Sequence, residues 1–156
     1  MMIEKKELEI VSAFRRNARE NLTTTSRKLN IPVSTIYDRL KKYQGTLITK
    51  HTALLDFKRL GFAIKVLIAF KSSSENRTTI HDFLKDHHRV NSLYRVSSAS
   101  DYLVEVLFKD LRELQQFTDK LDALGVVNRQ EYYIVEDIKR EEFLTNRTAL
   151  DFIADM

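Results

Sequence analysis

The sequence predicts an α+β fold, in which an N-terminal winged helix-turn-helix is joined to a C-terminal ferredoxin-like βαββαβ domain with a helical tail. Residues 22–45 have the pattern of two short helices that flank a tight turn. From Phe62 the spacing of apolar residues changes from a helical period to a period of two. The segments that follow have the order strand, helix, strand, strand, helix, strand, which is that of a ferredoxin-like domain.

Three helices are predicted before the sheet, and the first covers residues 4–19, where apolar side chains recur on one helical face. Thr23 is expected to cap the second helix, and Asn30 suits the turn because asparagine tolerates the left-handed conformation. Pro32 is the only proline, and it fits the first turn of the third helix, where its missing N–H would have no partner. The third helix has an inward stripe of Val33, Ile36, Leu40 and Tyr43.

The outer face of the third helix is polar and basic, which favours contact with a DNA duplex. Short hydroxyl side chains and tyrosine can reach base edges or phosphates, and basic side chains can contact phosphate oxygens. Taken alone, the segment also fits a helical hairpin with a solvated basic face. The residues expected to face DNA are Ser34, Thr35, Tyr37, Asp38, Arg39, Lys41 and Lys42.

The distribution of charge supports the DNA-binding interpretation. The 156-residue chain has a net charge of +4. Residues 1–60 contain 13 Lys plus Arg against 6 Asp plus Glu, a balance of +7, whereas residues 61–156 contain 13 against 16, a balance of −3. Only the N-terminal part is built to meet a polyanion, unless the difference between the halves arises by chance.

A short segment connects the third helix to the sheet. Gly45 is expected to end the helix, and Leu47 and Ile48 begin a β-prone stretch. We interpret this stretch as a wing or linker strand. Lys50 within it can touch the DNA backbone beside the main contact.

Six elements are predicted for the C-terminal domain. The strands cover four segments, residues 62–71, 90–97, 102–108 and 126–135. The helices cover two segments, residues 76–88 and 111–124. With both helices on one sheet face, the opposite face stays open, and its candidate residues are Leu67, Leu103, Leu107 and Tyr133 or its neighbours.

The open sheet face predicts a homodimer, because an apolar face of a small domain is usually buried by a partner. Dimerisation would also place two recognition helices about one turn of DNA apart, roughly 34 Å. Residues 137–156 are expected to form a helical tail that covers the sheet or crosses to a partner subunit, and the pattern does not decide between the two.

Composition and motifs argue against an enzyme or a metal site. Without cysteine, the chain can form no disulfide, thiolate nucleophile or cysteine-ligated metal site. Its four histidines lack HExxH spacing, its three glycines lie too far apart for a phosphate-binding loop, and no GxSxG motif occurs. Without an apolar run long enough for a membrane span or a signal peptide, we expect a cytoplasmic protein with no cofactor.

These motifs resemble the Lrp/AsnC family of transcription regulators, whose members join a winged helix-turn-helix to a regulatory ferredoxin-like (RAM) domain. The resemblance covers about residues 3–136 and rests on the order of NAR at 17–19, STIYDRLKK at 34–42, ITKHTALLDFKRLGF at 48–62, RVNSLYRVSSASDYLVEVLFKDLRELQQF at 89–117 and LGVVNRQEYYIV at 124–135. We therefore expect four parts, a DNA-binding domain at 1–50, a linker strand at 51–61, a regulatory and dimerisation domain at 62–136 and a helical extension at 137–156.

The resemblance implies a homodimeric or higher-order, sequence-specific DNA-binding protein that binds small ligands such as amino acids between regulatory domains. Arg39 occupies a basic position typical of the family, whereas Asp38 stands where many relatives have arginine. Because a carboxylate repels phosphate, we expect Asp38 to accept from a cytosine amino group or to pair with a neighbouring cation. The family turn Gly-x-x-Asp, an expected effector site, corresponds to Ser98, Ala99, Ser100 and Asp101.

Because of the serine in this turn, the sequence does not decide whether an effector binds or which one it is. Glycine lets the backbone approach a ligand closely, so with Ser98 in its place a ligand-independent regulator or a different effector fits as well. Two other classes of function stay as alternatives. One is a non-specific architectural DNA-binding protein, whose affinity would come almost wholly from phosphate neutralisation. The other is a haem-pathway decarboxylase, since a few proteins with the same two-domain architecture are such enzymes.

Overall fold

The computed structural model describes residues 4–97 and 99–154, which divide into two compact units. The first unit combines the residues up to Leu54 with those from Ile138 onward. The second unit comprises Leu55–Asp137. Each unit has its own cluster of buried apolar side chains, and the first is assembled from two distant parts of the sequence.

Three helices form the N-terminal part of the first unit: α1 (Lys5–Arg16), α2 (Leu22–Leu29) and α3 (Val33–Tyr43). α1 is shorter than predicted, because Asn17 already has an extended backbone and caps the helix. The side chains of the core are contributed by all three helices and the turn, namely Ile10, Ile31 and Ile36, with Phe14, Leu22, Leu29 and Leu40 packed against them. α1 thus supplies the apolar surface that a two-helix hairpin lacks.

The turn between α2 and α3 has the predicted conformation. Asn30 adopts φ 54° and ψ 46°, in the left-handed region, and Pro32 is the N-cap residue of α3. The predicted cap of α2 is wrong: the side chain of Asn21 accepts a hydrogen bond from the Thr23 N–H at 2.8 Å. Asparagine caps a helix at least as well as threonine. Asn21 is the N-cap residue of α2, and the N–H that it accepts from belongs to Thr23, two residues later.

The second unit contains six elements, β1 (Ile64–Ser72), α4 (Arg77–Asp86), β2 (Val90–Arg95), β3 (Tyr102–Phe108), α5 (Leu111–Ala123) and β4 (Val126–Tyr133). The strands form one antiparallel sheet in the order β2-β3-β1-β4. This element order and this sheet confirm the predicted α+β, ferredoxin-like fold class.

One face of this sheet is buried against α4 and α5. Val66, Ile68 and Phe70 of β1 are fully buried, with no exposed fraction. The two helices contribute equally buried leucine and isoleucine side chains to the same core, Ile80, Leu84 and Leu121. Burial on alternate positions of β1 is what the period of two in the sequence predicts.

The opposite face of the sheet carries a second row of apolar side chains. Leu67 lies opposite Tyr132 of β4, and Leu103 lies opposite Tyr94 of β2. The position predicted for Tyr133 or one of its neighbours is occupied by Tyr132. The strand register shifts between Ala69 and Lys71, and Asn128 has a φ of 52° at this irregularity. An extra residue in one strand reverses which side chains point to which face.

The predicted linker strand over residues 51–61 is absent from the described chain, where this segment consists of irregular backbone and turns. The β-prone stretch instead forms one isolated bridge between Gln44 and Ile48. The Phe62 N–H donates to the Phe57 carbonyl at 3.0 Å, so this backbone is satisfied by a turn. A β-prone segment forms a strand only where another strand supplies its hydrogen bonds.

The tail packs in the first unit rather than on the sheet. Its helix, α6 (Arg147–Ala154), is shorter than predicted, and the residues from Ile138 to Asn146 are not helical. α6 contacts α1, and Leu150 is buried with 8% of its surface exposed. The guanidinium of Arg16 in α1 donates twice to the Thr145 carbonyl, at 2.7 and 3.1 Å. The tail therefore covers α1 and not the sheet, which was one of the two predicted positions.

Candidate nucleic-acid interface

The orientation of α3 is set by two buried side chains. Ile36 has no exposed fraction and Tyr43 has 1%, so this side of the helix faces the core. Val33, predicted to face inward, is 39% exposed, because it is the first residue of the helix and lies beyond the edge of the core. The outward face contains the residues that were predicted to contact DNA and are exposed, Ser34, Thr35, Tyr37, Asp38, Lys41 and Lys42.

Arg39 differs from the other predicted contacts because it forms an ion pair inside the first unit. Its guanidinium lies 2.6 Å from the carboxylate of Glu7 in α1. The Glu7 side chain is 14% exposed and that of Arg39 is 40% exposed. The pair therefore joins α3 to α1 while leaving part of the guanidinium at the surface.

Tyr43 is a second side chain of α3 that interacts with the Glu7 carboxylate. Burial, followed by the proximity of Glu7, raises the pKa of Tyr43 to about 12. In the opposite direction, the pKa of Glu7 is lowered, first by the Tyr43 hydroxyl and then by Arg39. Glu7 is thus ionised at neutral pH and Tyr43 is protonated. This role of Glu7 could not be predicted from the sequence, since nothing in the local pattern connects Glu7 with α3.

The segment after α3 reverses direction immediately. Gly45, with a φ of 78°, donates its N–H to the Ile48 carbonyl at 2.9 Å, and the Ile48 N–H donates to the Tyr43 carbonyl at 2.9 Å. A positive φ is easily adopted by glycine, which allows this tight reversal. Lys50 follows the turn and is exposed, as a contact to the DNA backbone requires.

The predicted effector turn in the second unit is only partly described, since Ser98 lies outside the described residues. Ala99 is exposed and Ser100 is half-buried. The Asp101 carboxylate accepts two hydrogen bonds from Ser72 at the end of β1, from the N–H at 2.9 Å and from the hydroxyl at 3.2 Å. The backbone donor of Ser72 is the main reason why the pKa of Asp101 is lowered. Asp101 therefore links the residues just before β3 to the end of β1 by hydrogen bonds.

Within residues 4–97 and 99–154, no group of three or more His, Cys, Asp or Glu side chains is placed to hold a metal ion. His87 and His88 stack at 4.8 Å at the end of α4. His87 also lies edge-on to Phe117 at 4.9 Å, and burial is the main cause of its lowered pKa.

None of the described helices is long and apolar enough to cross a bilayer.

Comparison with known sequences identifies the second unit. Residues 65–142, half of the chain, match the family described as Lrp/AsnC ligand binding domain. The chain belongs to the Lrp/AsnC family of transcriptional regulators. This confirms the family that the order of motifs predicted, and the match begins at β1 and ends shortly after β4.

Relatives extend the similarity to the first unit. A helix-turn-helix-type transcriptional regulator of Pyrococcus abyssi is 22% identical over 91% of this chain and 97% of its own. The transcriptional regulator AzlB of Bacillus subtilis is 26% identical over 75% of this chain and 77% of its own. These Lrp/AsnC relatives are named as regulators.

Solved structures share the fold. A transcriptional regulator of Neisseria meningitidis in complex with L-Met superposes with a TM-score of 0.80 at 20% identity, covering 88% of this chain and 93% of its own. AsnC of E. coli gives 0.77 at 17% identity, covering 90% and 97%. At identities of 20% and 17%, these comparisons show that the fold is shared and carry no information about function.

The Glu7–Arg39 pair generates a prediction about pH. Because the pKa of Glu7 is lower in the folded state, ionised Glu7 stabilises the fold above the ordinary value of 4.5, and this stabilisation is lost as pH falls through the folded pKa. We expect Glu7→Gln to lower the free energy of unfolding by about 0.5–1 kcal/mol at neutral pH. Urea unfolding at neutral pH and at an acidic pH below 4.5 measures the difference, which should be smaller at the acidic pH.

Glu4→Gln is the matched control, because Glu4 is an exposed carboxylate at the N-cap of the same helix and its side chain makes no capping hydrogen bond. It should leave stability unchanged at both pH values. A Glu7→Gln loss of equal size at both pH values would contradict a role for the charge.

Proposed function

We propose that this Lrp/AsnC protein is a homodimeric transcriptional regulator that binds a pseudo-palindromic DNA site through the exposed face of α3. The observation that carries the proposal is the division of α3 into a buried side and a polar, basic side. A helix presented in this way fits the major groove, where side chains near its N-terminus reach base edges.

Different residues of α3 have different roles in the proposal. Ser34, Thr35 and Tyr37 lie in its N-terminal half and are assigned to bases. Lys41 and Lys42 lie in the last turn and are assigned to phosphates, as is Lys50. Arg39 is mainly a positioning residue through its ion pair. Asp38 is assigned to a cytosine amino group or to a neighbouring cation. The exposed part of the Arg39 guanidinium adds positive charge to the same surface.

A titration of the purified chain on the duplex upstream of its own gene and on a shuffled duplex, at two salt concentrations, tests the proposal. We expect a preference of at least about a thousandfold for one duplex, retained at higher salt. Equal affinities that collapse together with salt would indicate an architectural DNA-binding protein. The absence of binding to either duplex would overturn the assignment of α3.

The lysines of α3 should determine the salt dependence. Replacing Lys41 and Lys42 together with alanine removes two phosphate contacts from each protomer and four from the dimer, so the slope of log affinity against log salt should decrease by about 4. The loss of affinity should be similar for all sequences. Replacing Lys85 and Lys109, two exposed lysines of the second unit, removes the same charge and should leave the slope unchanged. An unchanged slope in the α3 variant would exclude these phosphate contacts.

Residues near the start of α3 should instead determine sequence preference. Ser34→Ala and Tyr37→Phe each remove one hydroxyl from an exposed side chain, so the fold should tolerate both changes. If the hydroxyl contacts a base, discrimination at that base pair decreases by about 1–3 kcal/mol while binding to other sequences is retained. Binding to a panel of single-base variants measures this. A uniform loss across the panel would reassign the hydroxyl to the DNA backbone.

The homodimer is proposed to form through the open sheet face. Tyr94 and Tyr132 are 54% and 50% exposed on this face and flank the partly buried Leu67 and Leu103. Large aromatic side chains around an apolar centre are typical of protein interfaces. A two-fold dimer also supplies two copies of α3, which matches a pseudo-palindromic site.

The double variant Tyr94→Asp/Tyr132→Asp should separate the dimer. Burial of unpaired carboxylates costs several kcal/mol, so the dissociation constant should rise at least about a hundredfold. Analytical ultracentrifugation measures it. Leu111→Asp, at an exposed leucine that begins α5 on the helical side, is the control and should remain dimeric. A double variant that stays dimeric would exclude this face.

A small-molecule effector is part of the proposal. The matching family is described as a ligand binding domain, and the similar Neisseria structure is a complex with L-Met. In this chain the Asp101 carboxylate is already engaged by Ser72. We therefore assign Asp101 to the geometry of the turn and not to direct contact with the effector.

A further inference from the structure

The second unit contains a pocket of about 150 Å³ between α5 and the residues that directly follow α4. This volume is below the roughly 300 Å³ at which sites for drug-sized ligands begin. Because a water molecule takes up about 30 Å³ in the liquid, the pocket has room for about five non-hydrogen atoms. A phosphate or sulfate ion has about this size.

Positive charge dominates the lining of this pocket. His87, His88 and Arg89 directly follow α4, and Lys120 lies in the last turn of α5. The charges of the other three all act on His87 and, after burial as the main cause, lower the pKa of its ring. These side chains are therefore close enough together for one anion to interact with several of them.

The one carboxylate among the described lining residues already has partners. Glu113 accepts from the Arg89 guanidinium at 2.7 Å through Oε1 and from the Lys109 N–H at 3.0 Å through Oε2. The guanidinium carbon of Arg89 also lies 5.5 Å from the centre of the Phe62 ring. Because Arg89 offsets the charge of Glu113, Lys120 gives the pocket a net positive charge.

His87 supplies a hydrogen-bond donor in its neutral form. Its Nδ1 accepts from the Arg89 N–H at 3.1 Å, so the proton of the neutral ring is on Nε2. The lowered pKa keeps this ring neutral at about pH 7.5. Gln116 and Lys120 add further N–H donors to the lining. Several N–H donors with a net positive charge are what an oxyanion requires.

We propose that this pocket binds a free tetrahedral oxyanion of the size of inorganic phosphate. The negative charge of the ion faces Lys120, and its oxygen atoms accept from His87 Nε2 and the Gln116 amide. The bound ion links α5 to the residues after α4.

The pocket is separate from the expected effector turn. That turn ends at Asp101, directly before β3, whereas Phe108 lines the pocket and is the last residue of β3. The length of this strand places the two about 20 Å apart.

NMR of the histidine rings in the full chain locates the ion without DNA. Inorganic phosphate and sulfate are titrated at about pH 7.5 and constant ionic strength, with sodium chloride as the compensating salt. We expect saturating shifts of the His87 and His88 signals, with dissociation constants below about 10 mM. The His51 and His81 signals should stay unchanged. Because His51 follows Lys50, it reports an ion on the proposed DNA-binding surface instead.

Variants of Lys120 test the charge on which the proposal depends. Lys120 is exposed, so the fold should tolerate its replacement. Lys120→Gln should weaken phosphate binding at least about tenfold, whereas Lys120→Arg keeps the charge and should bind within about threefold of the original chain. Lys85→Gln is the matched control, because Lys85 is an exposed lysine of α4 outside the pocket lining, and it should bind normally.

Glucose 6-phosphate separates a free ion from a phosphate ester. Its phosphoryl group has the same chemistry, but the attached sugar exceeds the volume of the pocket. It should therefore bind at least about tenfold more weakly than inorganic phosphate. Equal or tighter binding of the ester would overturn the assignment to a free ion.

Shifts of His87 and His88 that do not saturate, or that sodium chloride alone reproduces, would overturn the proposal. Binding that Lys120→Gln leaves unchanged would do the same, as would a saturating shift confined to His51. Because these measurements use no duplex and no amino acid, they are independent of the proposed DNA recognition and of the proposed effector. Each of these proposals can fail without the others.

Discussion

The pairing of β1 with β3 on one side and β4 on the other is the interaction on which the second unit depends. It places Val66, Ile68 and Phe70 under α4 and α5, where they form the centre of the core. The same pairing directs Leu67 to the opposite face. The surface proposed for dimerisation is therefore a direct consequence of the alternation that builds the core.

In the first unit, burial of one side of α3 likewise fixes which of its residues are exposed on the other side. Ile36 and Tyr43 anchor α3 by burial, and the Glu7–Arg39 pair restricts its position against α1. Side chains on a helix that is fixed at both ends lose less freedom on binding than those of a loop. The polar face of α3 is thus preorganised by contacts that do not themselves touch a ligand.

Elements governed by a local period could be predicted from the sequence, and contacts set by distant residues could not. The bounds of β3 and the left-handed Asn30 match the prediction because alternation and turn chemistry are local. The sequence left open whether Tyr133 or a neighbour lies on the open sheet face, because the register shift that places Tyr132 there is not revealed by one sequence. The role of Glu7 could not be predicted because its partner, Arg39, is far along the chain. For the same reason, no periodic pattern predicts that the Thr145 carbonyl accepts hydrogen bonds from Arg16.

The assembly of the first unit from two distant segments has a consequence for biosynthesis. α3 is synthesised before the second unit, whereas synthesis of α6 begins about ninety residues after Leu54. At roughly 5–20 residues per second, that interval lasts several seconds. A nascent chain thus carries α3 for some time before α6, the helix that completes the first unit, has been made.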